Sequence, residues 1–276
     1  MGEVTLRAAL FAFGALLAGP VLAKPAPLPE GARYVALGSS FAAGPGVGPN
    51  TPGTPPRCGR GTLNYPNLVA AKLKLVLVDA TCSGAKTEHV LGAWNEVPAQ
   101  IESVTTDARL VTITIGGNDV NFVGNIYAAA CETMATPDPR CQKWRAITEE
   151  DWKGDEQRMR QIVREVRARA PEARIVFVDY ITVLPPKGTC AALPISDGRM
   201  KESRAAAKRL AALTARVARS EKAEVFRFSA LSKAHAPCST EPWSNGLTAP
   251  QGDGIPVHPN RLGHEAAATG LARFLS

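Results

Sequence analysis

Tyr34-Val35-Ala36-Leu37-Gly38-Ser39-Ser40 is an apolar run that stops at a glycine followed by two hydroxyl residues. Four residues without polar alternation read as a strand buried on both faces, and the Gly-Ser-Ser that follows reads as a turn at its carboxyl end. Similar short, β-rich runs recur at Leu75 to Asp79, Leu110 to Ile115, Arg174 to Asp179 and Glu224 to Phe228. Between them lie helical periodicities: Met159, Ile162, Val163, Val166 and Ala170 in one stretch, Ala206, Leu210, Leu213 and Val217 in another. After Asn260, an N-cap residue type, Leu262, Ala266, Leu271 and Phe274 make a terminal helix. Strands alternating with helices imply an α/β fold with a parallel sheet covered on both faces. The segments Pro45 to Asn64, Pro137 to Thr148, Pro185 to Gly198 and His235 to Pro256 are loops rich in Pro, Gly and Cys, and there is no internal repeat.

Ligands of such folds collect at the carboxyl ends of the strands. Three segments fall at strand or loop ends: Gly38-Ser39-Ser40, Gly116-Gly117-Asn118-Asp119 and His258-Pro259-Asn260. They supply a hydroxyl nucleophile, an amide donor and an imidazole base. Acyl transfer through a serine needs all three, and needs them from separate segments, because one short loop cannot surround a tetrahedral carbon.

Arg7 precedes an apolar run from Ala8 to Leu22, and Val21-Leu22-Ala23 offers small residues before Lys24-Pro25-Ala26-Pro27. This pattern reads as a secretory signal peptide over residues 1–23, cleaved after Ala23. About 250 residues remain, enough for one substantial core, so residues 24–276 are expected to form a single domain. Six cysteines, Cys58, Cys82, Cys131, Cys141, Cys190 and Cys238, include no Cys-x-x-Cys pair. In an exported chain they suggest three disulfides, with fifteen possible connectivities. Pairing of sequence neighbours is favoured. Pro137 and Pro139 place a turn between Cys131 and Cys141, while the other two pairs would staple loops around the site. The net charge of +7 is concentrated in Arg158 to Arg174 and Lys201 to Lys222, which read as solvated helix faces. No aromatic interleaving or motif points to nucleic acid. No metal-ligand spacing appears, no cofactor is implied, and no stable protein partner is expected.

The four segments Tyr34 to Gly44, Cys82-Ser83-Gly84-Ala85, Ile115-Gly116-Gly117-Asn118-Asp119 and His258-Pro259-Asn260-Arg261-Leu262-Gly263-His264 occur in the order found in one enzyme superfamily. The chain resembles an SGNH hydrolase of the Gly-Asp-Ser-Leu esterase and lipase superfamily, in its secreted, three-disulfide bacterial branch. That resemblance implies a flavodoxin-like three-layer α/β/α sandwich with about five parallel strands, and a cofactor-free serine esterase or lipase. It implies Ser40 as nucleophile and His258 as base, with the Ser40 N–H, the Gly84 N–H and the Asn118 side-chain amide as oxyanion hole.

Two residues depart from the family pattern. Ser39 replaces an Asp, and Ile255 stands three residues before His258 where a histidine-orienting Asp is usual. A main-chain carbonyl of the Ile255-Pro256 loop could orient the imidazole, with Asp253 as the alternative. Asp119 is expected to cap a helix starting near Asn121. His89 and His264 read as helix residues and His235 as a loop residue, while Trp243 either packs under a loop or lines the acyl pocket. The substrate is expected to be a small acyl ester or lipid. Polysaccharide deacetylation by the same machinery, or a catalytically silent binding protein, are the alternatives.

Overall fold

The computed structural model describes residues 1–3, 27–134 and 141–276. All but the first three residues of the expected signal peptide lie outside the described residues, as does the Pro137–Pro139 turn. Five strands, β1 (Arg33–Gly38), β2 (Val76–Asp79), β3 (Ala108–Thr114), β4 (Arg174–Val178) and β5 (Glu224–Phe226), form one parallel sheet in the order β2-β1-β3-β4-β5. The chain thus runs from β1 to the edge at β2 and then crosses back over β1 to β3. This reversal puts a crevice between the carboxyl ends of β1 and β3, where open α/β sheets bind ligands.

Tyr34 to Leu37 and Leu110 to Ile113 are buried on both faces, which explains the lack of alternation in these runs. Their neighbours in the chain are helices: α1 (Ser40–Ala43), α2 (Tyr65–Leu73), α3 (Thr87–Leu91), α4 (Phe122–Cys131), α5 (Glu149–Arg169), α6 (Asp197–Ser220), α7 (Phe228–Leu231) and α8 (Arg261–Leu275). Helices α2 and α8 pack together as one layer, and α3, α4, α5 and α6 pack against one another as the other. The result is the three-layer α/β/α sandwich that the sequence pattern implies. Asn260 caps α8 as expected, its side chain accepting from Gly263 N at 2.9 Å. The run expected as a strand to Phe228 stops at Phe226, because Asp179 at the end of β4 accepts from Ser229 N and Ser229 Oγ, both at 2.7 Å, and draws the chain into α7. No described helix is long and apolar enough to cross a membrane.

All three disulfides join sequence neighbours: Cys58 to Cys82, Cys131 to Cys141 and Cys190 to Cys238. The first ties the loop after β1 to the loop after β2, and the third ties together the two long loops on either side of α6 and α7.

Helix α5 turns Trp152, Met159, Ile162, Val163 and Val166 into the core, and with them Asp155. Both carboxylate oxygens of Asp155 lack a hydrogen-bond partner among the described residues. They lie against Gly116, where an added Cβ would meet them at 2.9 Å. Burial, and then the charge of Asp119, push this carboxyl up to about 8 despite the opposing pull of Arg158. The folded value lies above the unfolded value of 3.8, so its contribution to stability is present below about pH 4 and is lost as pH rises through about 8. Asp155→Asn should therefore come closest to the wild type near pH 4, and its advantage in unfolding free energy should grow by more than about 1 kcal/mol by pH 9. Denaturant melts at both pH values check this, and a difference that does not grow with pH would contradict it.

Candidate active site

The site begins where β1 ends. Gly38 comes so close to β3 that an added Cβ would sit 2.6 Å from Thr114 O, and its φ of +152° suits glycine. Gln100 clamps this turn, accepting from Gly38 N at 2.7 Å and donating to Gly38 O at 3.0 Å. The chain then turns into α1, whose first residue is Ser40. Ser39 uses its N–H on Thr114 O at 2.9 Å and shares a hydrogen bond of 3.1 Å with the hydroxyl of Tyr180. That hydroxyl also accepts from Gly117 N at 2.9 Å. A buried tyrosine thus links the loops after β1 and β3, a task that a short serine could not perform alone. Burial drives the Tyr180 phenol well above its usual range, so it remains a protonated donor. Its only sequence signal is its position directly after a strand.

Ser40 Oγ lies 2.8 Å from His258 Nε2, joining residues 218 apart in sequence. The other ring nitrogen, Nδ1, lies 2.7 Å from the carbonyl oxygen of Pro256. A carbonyl can only accept, so the proton sits on Nδ1 and the Nε2 lone pair faces the serine hydroxyl. Phe41 backs the imidazole at 4.8 Å between ring centroids, and Tyr180 backs Phe41 at 4.6 Å. Of the three residues considered for orienting His258, the structure brings up Pro256. Ile255 O instead lies 3.4 Å from Asn245 Nδ2. Asp253 accepts from Arg261 N at 2.7 Å, at the start of α8. Burial lowers His258 to about 4, opposed by its bond to Pro256 O.

Gly84 reaches the same cleft from the loop after β2. Cys82 N donates to Gly38 O at 3.0 Å, and Ser83 donates to Cys58 O through its N–H at 3.1 Å and its hydroxyl at 2.8 Å. The Cys58 to Cys82 disulfide locks that arrangement. Gly84 has φ +81°, and Trp94 would lie 3.2 Å from an added Cβ. The N–H groups of Ser40 and Gly84 have no hydrogen-bond partner among the described residues.

Asn118, from the loop after β3, donates through Nδ2 to Ala85 O at 2.9 Å, which leaves the second amide hydrogen for the cleft. Asp119 does not cap α4, whose N-cap Asn121 has no side-chain cap bond. It accepts instead from Thr87 N at 3.0 Å, Thr87 Oγ1 at 2.5 Å and Arg158 Nη2 at 3.1 Å. The carboxylate braces the Asn118 loop to α3 and α5, a long-range role that local spacing does not reveal.

Ser40, Gly84, Asn118 and His258 share a cleft of about 820 Å3 whose walls include Val123, Tyr127, Met134, Leu247 and Ile255. Positions 123, 127 and 131 follow one face of α4, a length of about 12 Å at the helical rise.

The remaining histidines do not line this cleft. His89 is in α3, stacked on Trp94 at 4.1 Å, and His235 is in a loop, stacked on Trp243 at 3.6 Å. His264 is buried in α8, and its Nδ1 accepts from Tyr65 N at 3.0 Å. Trp243 packs near Phe228 at 6.4 Å and donates to Glu241 Oε1, and it does not line the cleft.

The profile of the GDSL-like lipase/acylhydrolase family matches residues 36–266. Lipase 2 of Streptomyces coelicolor is 31% identical over 250 residues, covering 85% of this chain and 83% of the relative. A lipase of Streptomyces rimosus is 30% identical over 247 residues, covering 89% and 88%. Among solved structures, phospholipase A1 from Streptomyces albidoflavus superposes with a TM-score of 0.71 at 25% identity, covering 88% of this chain and 99% of that one. An acetylxylan esterase from Geobacillus stearothermophilus shares the fold, with a TM-score of 0.54 at 16% identity over 91% of this chain and 97% of that one. Motif order, sheet topology and whole-length similarity agree, and the chain belongs to the GDSL-like lipase/acylhydrolase family.

Proposed function

We propose that this protein is a secreted serine esterase or lipase acting on short- to medium-chain acyl esters through a Ser40 acyl-enzyme. The observation that carries the reading is the Ser40 Oγ to His258 Nε2 contact of 2.8 Å, with the opposite ring nitrogen pinned to Pro256 O. In the acylation step Ser40 Oγ bonds to the ester carbon while His258 Nε2 takes the hydroxyl proton. The carbonyl oxygen becomes an oxyanion held by the Ser40 N–H, the Gly84 N–H and the free hydrogen of Asn118 Nδ2. As that intermediate collapses, the C–O bond to the alcohol breaks and His258 hands its proton to the leaving oxygen. Water then repeats the sequence, with His258 as base, and releases the carboxylic acid.

The orienter is a neutral carbonyl, so no carboxylate offsets the imidazolium formed during attack. More of the stabilisation then falls on the three oxyanion donors. Loss of one such donor in a serine hydrolase typically raises the barrier by ~3 to 4 kcal/mol.

The apolar residues of the cleft, Val123, Leu247 and Ile255 among them, favour an acyl chain over a sugar. Export after Ala23 fits three disulfides and the likeness to the solved structure of an extracellular lipase from Streptomyces rimosus. Polysaccharide deacetylation lacks a specific supporting observation, since the likeness to the acetylxylan esterase rests on the fold.

Hydrolysis of chromogenic esters from acetate to palmitate tests the reading. Each methylene buried in the cleft adds ~0.8 kcal/mol, so kcat/KM should climb about fourfold per carbon and level off where the cleft ends. Ser40→Ala should abolish turnover and fluorophosphonate labelling, and Asn118→Ala should lower kcat about 100- to 1000-fold. Equal, near-background rates in wild type and Ser40→Ala would reject the reading. Activity should persist in chelator, and loss there that metal restores would overturn a metal-free mechanism. His258 must be neutral to accept the proton, so activity is present above about pH 4 and falls as pH drops through that value. A kcat/KM profile bending near pH 6.5 would contradict the burial argument.

A further inference from the structure

The oxygen of Pro256 accepts two hydrogen bonds. His258 Nδ1–H reaches it at 2.7 Å, and the Tyr127 hydroxyl donates to it at 2.6 Å. A carbonyl oxygen has two lone pairs, so it can satisfy both donors at once. Tyr127 stands on α4 between Val123 and Cys131 and lines the cleft beside Ser40 and His258. Burial pushes its phenol up to about 12, which keeps the hydroxyl a donor at any pH where the enzyme would work.

The loop carrying Pro256 gives this donor its importance. Gly254 N donates to Gly46 O at 2.9 Å and Val257 N to Gly246 O at 2.8 Å, so the loop is anchored on either side. Proline has no N–H with which to hold its own position. Val257 lies at φ +57°, a left-handed conformation that a β-branched residue rarely adopts. The peptide between Pro256 and Val257 is therefore strained at the point where its oxygen must face the imidazole. Among the described residues, only Tyr127 and His258 hydrogen-bond to that oxygen.

We propose that Tyr127 is a positioning residue for the base: its hydroxyl fixes the Pro256 carbonyl, and that carbonyl fixes the Nδ1–H tautomer and orientation of His258. The inference rests on the reading of Ser40 and His258 as nucleophile and base. It also gives one side chain two tasks, since the Tyr127 ring lines the acyl cleft while its hydroxyl steadies the group that aims the base.

Tyr127→Phe keeps the ring and removes only the hydroxyl. We expect kcat to fall about 5- to 30-fold, or ~1 to 2 kcal/mol, with KM and chain-length preference unchanged. The rate of Ser40 phosphonylation by a fluorophosphonate should fall by a similar factor. Proton NMR should show the His258 Nδ1–H exchanging with solvent at least several-fold faster in the variant. Wild-type kcat with unchanged Nδ1–H exchange, or a defect confined to KM, would overturn the proposal and leave Tyr127 as a wall of the cleft. If wild type and variant both fail to hydrolyse esters, the esterase reading falls. The exchange comparison then decides alone: faster exchange in Tyr127→Phe supports the positioning role, and equal exchange rejects it.

Discussion

Strands β1 and β3 converge at their carboxyl ends until Gly38 lies against Thr114, with no room for a side chain between them. This close approach sets the positions of Ser40 on one side and the Gly116 to Asp119 loop on the other. Gln100 closes the turn by bonding both polar groups of Gly38, and the Tyr180 hydroxyl ties Ser39 to Gly117. Ser40 and Asn118 are thus held by a rigid sheet end, the preorganisation that the proposed oxyanion stabilisation would demand. Asp119 extends the frame outward, since its bonds to Thr87 and Arg158 connect the β3 loop to two helices.

His258, the proposed base, reaches this frame from the far end of the chain through a weaker device. In a charged triad a carboxylate attracts the imidazolium; here the partner is a peptide oxygen, whose contribution is directional. A directional contact works only if the loop bearing it is fixed. The anchors at Gly46 and Gly246, the contact of Asp253 with Arg261 and the Tyr127 hydroxyl fix it. Burial keeps His258 neutral, ready to accept a proton, and makes the imidazolium costly. In the proposed mechanism, electrostatic help in the transition state is thereby concentrated on the oxyanion side.

Much of this arrangement was legible in the sequence, for identifiable reasons. Tyr34 to Leu37 and Leu110 to Ile113 read as strands because burial on both faces removes the alternation that would otherwise blur them. Asn260 read as a cap because a cap bond is local, three residues away. Ser40, Gly84, Asn118 and His258 stood out because each sits in a short segment whose order resembles a known family, and the fold gathers all four in one cleft. The sequence did not reveal which oxygen faces His258. The choice among Ile255, Pro256 and Asp253 depends on how a glycine-rich loop docks on residues about 200 positions earlier. Tyr180 and Tyr127 were silent for the same reason: their partners lie 141 and 129 residues away. Asp119 was misplaced because a carboxylate near a helix start has an obvious local use, and a distant threonine and arginine outcompete it.

The central claim is that Ser40, His258 and three converging donors form one acyl-transfer centre. The most direct measurement is a crystal structure of the mature protein after reaction with an alkyl fluorophosphonate. The account predicts phosphorus bonded to Ser40 Oγ, with the phosphoryl oxygen within hydrogen-bonding distance of Ser40 N, Gly84 N and Asn118 Nδ2, and the alkyl chain lying along α4 past Tyr127. An unmodified Ser40, or an adduct whose phosphoryl oxygen points away from Gly84 and Asn118, would contradict it.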